Sequence, residues 1–227
     1  VISPMRSVYL DYIRALDYES VKELEDRFTE TLRWLRKNGI LYHLIDESIL
    51  QRHGSVNGAE VTVGKKSYKK VILPFVYTVS GNTAAILKDF VNNGGQLYAE
   101  VIPALIDGEK KDAGFYSTIS LERIVKERYL GDLELSENVF VTARKGEMGE
   151  FLFVKNLSIE QGGRAKIKGL SQNYALVDFV EETFHKACDE VEREPSGSAI
   201  FYKTAWRPKA CSLDELDVTG SLKFEGS

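Results

Sequence analysis

Cysteine, histidine and methionine are scarce in this chain: its 227 residues hold two, three and two of them. Cys188 and Cys211 are a lone pair with no framework spacing, which says little about redox compartment. His43, His53 and His185 are scattered, and none belongs to an H-x-x-x-H pair that would set two metal ligands on one helical face. Structural roles are the reading for all three, and no metal is expected. Neither G-x-G-x-x-G nor G-K-[ST] occurs, so a dinucleotide or nucleotide site has no support and no cofactor is expected.

Positive charge is also in deficit. The formal net charge is -4 and the pI is near 5.6, which opposes the long basic face of a nucleic-acid binder. Lys65-Lys66 with Lys69-Lys70 is the one basic cluster, and it reads as a solvated hairpin turn. No apolar run approaches the roughly 20 residues of a membrane span, so neither nucleic acid nor membrane is an expected partner. No charged-then-apolar leader is seen. The opening Val1-Ile2-Ser3-Pro4 reads as the tail of a strand, and so as a fragment or a processed chain.

What is present is an ordinary globular composition, 43% hydrophobic and 28% charged, long enough for two small domains. The most informative stretch runs from Tyr68 to Tyr98. Val71-Ile72-Leu73 reads as a buried strand ended by Pro74, and Ser80 as the cap of a helix carrying Ala84, Leu87, Phe90 and Val91. Gly94-Gly95 is its stop, and Gln96 to Ile102 the next strand. Upstream, Ser20 and Glu23 have capping-box spacing before the stripe Val21, Leu24, Phe28, Leu32 and Leu35, with Asn38-Gly39 as the stop. Ile40 to Ile45 has the length and polarity of a strand covered on both faces. Glu60 to Val63, Gly64 and Lys65 to Lys70 read as a polar hairpin.

These elements predict an α/β layer, a flavodoxin-like doubly wound parallel sheet over residues 1–131. Only a short helix near Leu121 to Arg128 is legible after Pro103. The period then changes to two. Asn138 to Arg144, Glu150 to Asn156, Arg164 to Lys168, Tyr174 to Phe179 and Ser198 to Lys203 are strand-length, which predicts a small antiparallel β-sandwich over 132–208. Lys186 to Glu194, with Cys188, reads as a charged, strand-poor stretch. Residues 209–227 read as a linker or the start of a further β module.

The loops at the strand ends are where such a sheet binds ligands. Asp46, Glu47 and Glu100 fall there, and paired carboxylates are what glycosidic hydrolysis needs. Asp46 and Glu47 are adjacent and would point to opposite faces of a strand, so capping and loop anchoring is the plainer reading. Arg6, Tyr9, Tyr12, Tyr77 and Tyr116 could stack on and hydrogen-bond a sugar, although tyrosine is also common in packing. The ligand-binding candidates are Arg6, Tyr9, Asp46, Glu47, Tyr77 and Glu100; no catalytic residue is assigned. Pro74-Phe75-Val76-Tyr77 stands where a nucleophile elbow would be, which argues against amidotransferase and α/β-hydrolase chemistry.

Four segments carry a resemblance: Met5 to Tyr9, Gly39 to Glu47, Tyr68 to Pro74, and Phe90 to Gly95. Together they resemble the amidotransferase-like domain of bacterial α-L-rhamnosidase-type glycoside hydrolases and, more distantly, the trimerisation domain of family 42 β-galactosidases. Phe151 to Ser158 and Pro195 to Ile200 resemble the β-sandwich that follows it, and Leu216 to Glu225 the edge of a further module. In that family the catalytic carboxylates belong to an upstream barrel. The resemblance therefore implies a non-catalytic accessory piece that braces the barrel, shapes the substrate cleft or mediates subunit contact. Its implied partners are that barrel, carbohydrate and a further copy of the chain. The alternatives are a stand-alone carbohydrate-binding or sensor module and a cysteine-dependent amidotransferase or peptidase.

Overall fold

A computed structural model describes residues 1–15, 18–111, 118–147, 149–179, 181 and 183–204. Tyr116, Cys211 and the region 209–227 lie outside the described residues. The chain divides into two compact units, Val1–Trp34 with Tyr42–Glu127, and Leu35–Leu41 with the described residues from Arg128 onward.

The first unit begins with helices α1 (Met5–Ala15), α2 (Tyr18–Lys37, its last turn belonging to the second unit) and α3 (Glu47–His53). Strands β1 (Gly54–Asn57), β2 (Glu60–Val63) and β3 (Lys66–Tyr68) follow as an antiparallel meander. Next come β4 (Lys70–Leu73), β5 (Thr78–Val79), α4 (Gly81–Asn92), β6 (Gln96–Ala99), β7 (Leu105–Ile106), β8 (Glu109–Lys110) and a 3-10 turn at Leu121–Glu127. The meander turns at Gly58 (φ 55°) and Gly64 (φ 58°), each the first loop residue of a two-residue connection.

The β4–α4–β6 unit forms as the sequence predicts. Ser80 caps α4 by accepting the Thr83 N–H at 3.1 Å, and Ala84, Leu87 and Phe90 are buried. At the far end Gly95 N–H donates to Phe90 O and Gly94 N–H to Val91 O, with Gly94 at φ 86°, a Schellman stop. Gly39 (φ 65°) and Ile40 close α2 in the same way on Arg36 and Leu35. β4 and β6 pair in parallel, Val71 opposite Leu97 and Leu73 opposite Ala99, and pack with α4 into one core.

The structure is mixed α/β with several small sheets, and the expected doubly wound, flavodoxin-like parallel sheet is not shown among the described residues. Among the described residues, strand-to-strand parallel pairing is seen in β4–β6 and the short β5–β7, and most strand pairing is antiparallel. The segments beside it pair in parallel only briefly: Ile2 bridges Ile45 and donates its N–H to Ile72 O, and Ile119 bridges Tyr98 with main-chain hydrogen bonds to Leu97 and Ala99. Ile40 to Ile45 is correspondingly not a strand covered on both faces: Leu41 and Leu44 stand in solvent, 36% and 54% exposed. Met5 to Tyr9 is helical, and Ser3-Pro4 stands as a start signal ahead of it. Helix α2 starts at Tyr18, so Ser20 lies in its first turn rather than ahead of it, and Glu23 pairs with Arg27 at 3.1 Å.

The second unit contains β9 (Leu133–Leu135), β10 (Val139–Gly146), β11 (Gly149–Asn156), β12 (Gly163–Ile167), α5 (Leu170–Asn173), β13 (Tyr174–Asp178), β14 (Thr183–Lys186), β15 (Glu190–Arg193) and β16 (Ser198–Lys203). All pair antiparallel, in a five-stranded sheet ordered β10-β11-β16-β13-β14 and a three-stranded sheet β15-β12-β9. Both sheets face one core that includes Val141, Leu152, Val154, Ile167, Val191 and Phe201. β15 corrects the strand-poor reading of Lys186 to Glu194. Only Val191 in it is buried, because an edge strand needs one anchored residue and tolerates charge elsewhere.

Asn156 is fully buried and ties the unit together. Its Nδ2 donates to the carbonyls of Gln161, Arg193 and Glu194, while its Oδ1 accepts from Asn138 Nδ2 and Ser158 N–H.

Two glycines separate steric cost from backbone cost. A Cβ on Gly95 would sit 2.2 Å from the Phe90 ring, whereas one on Gly58 meets nothing within 4 Å but must hold φ 55°. Gly95→Ala should lose about 1–3 kcal/mol by overpacking. Gly58→Ala should lose about 1–2 kcal/mol from the left-handed backbone alone. In urea unfolding, Phe90→Ala added to Gly95→Ala should relieve the clash. No such relief is expected at Gly58.

Candidate functional site

The chain passes from β5 into α4 where Leu73-Pro74 has ended β4, and the backbone groups released there need partners. Ser7, on the buried face of α1, supplies several. Its Oγ accepts the N–H groups of Tyr77 (2.9 Å) and Thr78 (3.1 Å) and donates to Thr78 O at 3.2 Å. Glu47 supplies another: its Oε2 accepts the Ser80 N–H at 2.7 Å, and the residue is 4% exposed. Asp46 caps α3 through Oδ1, which accepts the Ser48 N–H at 2.8 Å.

Between β7 and β8 the Asp107-Gly108 pair turns with φ 53° and 75°, the conformation that Asp-Gly favours in a two-residue hairpin. The turn aims the Asp107 carboxylate at the start of α4, where Oδ2 accepts the Gly81 N–H at 3.1 Å. Oδ1 lies 3.6 Å from Arg6 Nη1. These elements enclose a cleft of about 550 Å³ walled by Arg6, Tyr9, Asp46, Glu47, Thr78 and Asp107. Tyr9 stands 56% exposed at its rim.

Four of the six candidates, Arg6, Tyr9, Asp46 and Glu47, therefore converge on one cleft. The other two do not. Tyr77 lines a separate groove with Val101 and Ile102, its ring edge-on to Phe75 at 5.1 Å. Glu100 pairs at 2.9 Å with Arg27, whose guanidinium lies 4.0 Å above the Phe75 ring. Sequence reasoning missed Ser7, Thr78 and Asp107. The Asp107-Gly108 dipeptide was a hairpin signal, whereas nothing local marks Ser7.

Chemically, the cleft offers an exposed ring beside an arginine–carboxylate pair, which suits a polar ring-faced ligand such as a sugar. It offers less to acid–base catalysis. Both Asp46 and Glu47 are engaged as acceptors of backbone N–H groups. Cys188 is exposed between β14 and β15, away from any strand-to-helix turn.

A second ionised centre lies in the other unit. Burial opposes the charge of Glu150, but hydrogen bonds from Tyr129, Tyr174 and Lys203 outweigh it and hold its carboxyl below the ordinary glutamate range. The same hydrogen bond pushes Tyr129 up to about 12, and burial with that carboxylate raises Tyr174 further.

No family profile matches the chain, and no curated protein matches it. Solved structures do. It is similar to the apo exo-carrageenase of family GH42 from Bacteroides ovatus, with 8% identity over 80% of this chain and 27% of that one, TM-score 0.55. It is similar to a catalytic mutant of the GH42 β-galactosidase Gan42B from G. stearothermophilus, with 13% identity over 86% and 38% of the two chains, TM-score 0.56. A third is the rhamnosidase from Novosphingobium sp. PP1Y, with 11% identity over 78% and 21%, TM-score 0.52. The fold is thus one found within glycoside hydrolases, and the chain spans well under half the length of each.

Glu47→Ala would leave the buried Ser80 N–H without its acceptor and should cost about 1–3 kcal/mol in chemical denaturation, with Glu47→Gln recovering part of it. Glu150 gives a pH signature. Its folded pKa is depressed, so its stabilisation is present above the unfolded value of about 4.3 and is lost as pH falls through the lower folded value. The difference in urea midpoint between wild type and Glu150→Gln should be constant near neutrality and shrink below about pH 4.

Proposed function

We propose that this chain is a non-catalytic accessory portion of a carbohydrate-active enzyme, serving a catalytic domain by bracing it, shaping its substrate cleft or forming a subunit contact. The observation that carries the reading is the fate of the two candidate carboxylates. Asp46 caps α3 and Glu47 holds the entry to α4, so both do structural duty in the cleft where catalysis would be sought. The likeness to parts of glycoside hydrolases supports the same reading. So do Tyr9 and Tyr12, 56% and 47% exposed and three residues apart on α1, which present aromatic surface suited to contact with another protein surface.

One observation favours a second reading, a carbohydrate-binding or sensor module. Tyr9 at the rim and the Arg6–Asp107 pair in the wall could supply a stacking surface and hydrogen bonds to hydroxyls.

The chain should not turn over aryl rhamnosides or aryl galactosides. Turnover that disappears in Glu47→Gln or Glu100→Gln would defeat the accessory reading. Calorimetric titration across a glycan panel separates the two: binding weakened by Tyr9→Ala supports the binding module, and silence across the panel removes it.

A further inference from the structure

At the turn joining β13 to β14, three side chains from eight positions of sequence are brought together. Asp178 closes β13, Glu181 lies in the turn, and His185 is on β14. One carboxylate oxygen from each acid and a ring nitrogen of the histidine all lie within 4.8 Å of one another. The local bonding orients them. Asp178 Oδ1 accepts the Glu181 N–H at 3.1 Å. Oδ2 of the same carboxylate lies 3.9 Å from His185 Nε2, too far for a hydrogen bond. The imidazole is 11% exposed, fixed against the strand and 3.0 Å from the Thr183 hydroxyl.

We propose that this hairpin binds a divalent transition-metal ion through Asp178, Glu181 and His185, with zinc the ion best suited to one nitrogen and two carboxylate oxygens. Two ligands of a tetrahedral zinc ion at about 2.0–2.1 Å are about 3.4 Å apart, so the Asp178–His185 gap needs to close by about half an ångström and no gap in the set by more than about 1.4 Å. The ion replaces the Thr183 hydroxyl at Nε2, and solvent completes the fourth position. Calcium and magnesium, which take oxygen ligands, are poorer partners for the imidazole. Among the described residues β14 is the outer strand of its sheet and is paired on one side only, by β13. An ion bound here would clasp that edge to its neighbour and close the most easily frayed hairpin of the sheet.

The test uses the whole chain after chelator treatment, with cobalt(II) as the optical probe. Visible d–d bands of a protein-bound ion should grow to one equivalent and be bleached by zinc, and zinc should slow hydrogen exchange at the β14 amides. Losing a second-sphere partner typically weakens metal binding about 10–100-fold, so losing a direct ligand in Asp178→Asn or His185→Gln should cost at least that. His53→Gln should change nothing. Absence of the bands, or their survival in the Asp178→Asn/His185→Gln double variant, would overturn the site. Should His185→Gln fail to fold, manganese(II) broadening of wild-type resonances decides it: broadening centred on 178–185 supports the site, and broadening elsewhere or none overturns it.

Discussion

The arrangement of the first unit follows from one requirement, that every backbone group stranded where a short parallel pair ends must find a partner. A broad parallel sheet would supply those partners by lateral pairing. Here β4 and β6 pair with each other, and Val1–Ser3 on one side and Ile119 on the other add only a few main-chain hydrogen bonds, none of which reaches the residues beyond Pro74. Side chains take over the task. Ser7 serves Tyr77 and Thr78, Glu47 serves Ser80, Asp107 serves Gly81, and Asp46 serves Ser48. The same residues wall the cleft, so its polar lining exists first to complete the backbone. Any ligand must use what remains, chiefly the exposed Tyr9 ring and the Arg6 guanidinium.

What could be read in advance divides along the range of the interactions. Ser80, the Ala84–Leu87–Phe90 stripe and Gly94-Gly95 act within one helix, and α4 formed with those limits. The alternating strands of the second unit were equally legible, because burial on one face writes itself into every second residue, as in β11. Ile40 to Ile45 misled because a short apolar run records hydrophobicity but not how far pairing extends along it: Val1–Ser3 pairs only with its His43–Ile45 end. The charge-rich β15 was overlooked for the opposite reason: its pairing with β12 supplies what its composition hides.

The site was legible in part for the same cause. Arg6, Tyr9, Asp46 and Glu47 line one cleft, which Arg6 and Tyr9 reach from a helix. Glu100 was drawn away by Arg27, seventy-three positions distant, which no local pattern encodes. Helical histidine pairs have a fixed spacing along the chain, whereas a site built across a hairpin has none. Asp178, Glu181 and His185 meet instead through a strand–turn–strand reversal, where separation along the chain says little about separation in space.

Asn156 has a consequence for the chemical lifetime of the second unit. Deamidation requires the nitrogen of the next residue to attack the side-chain carbonyl carbon and close a succinimide ring. The Leu157 nitrogen donates to Asn138 O at 2.7 Å, and the amide itself is held from both ends, so the ring cannot close while the fold is intact. An aspartate formed during a transient opening would return with carboxylate oxygen facing the carbonyls of Gln161, Arg193 and Glu194. The damage is therefore invisible to a molecule that stays folded and prohibitive to one that has opened, so this amide works as a clock that runs only while the sheets are apart.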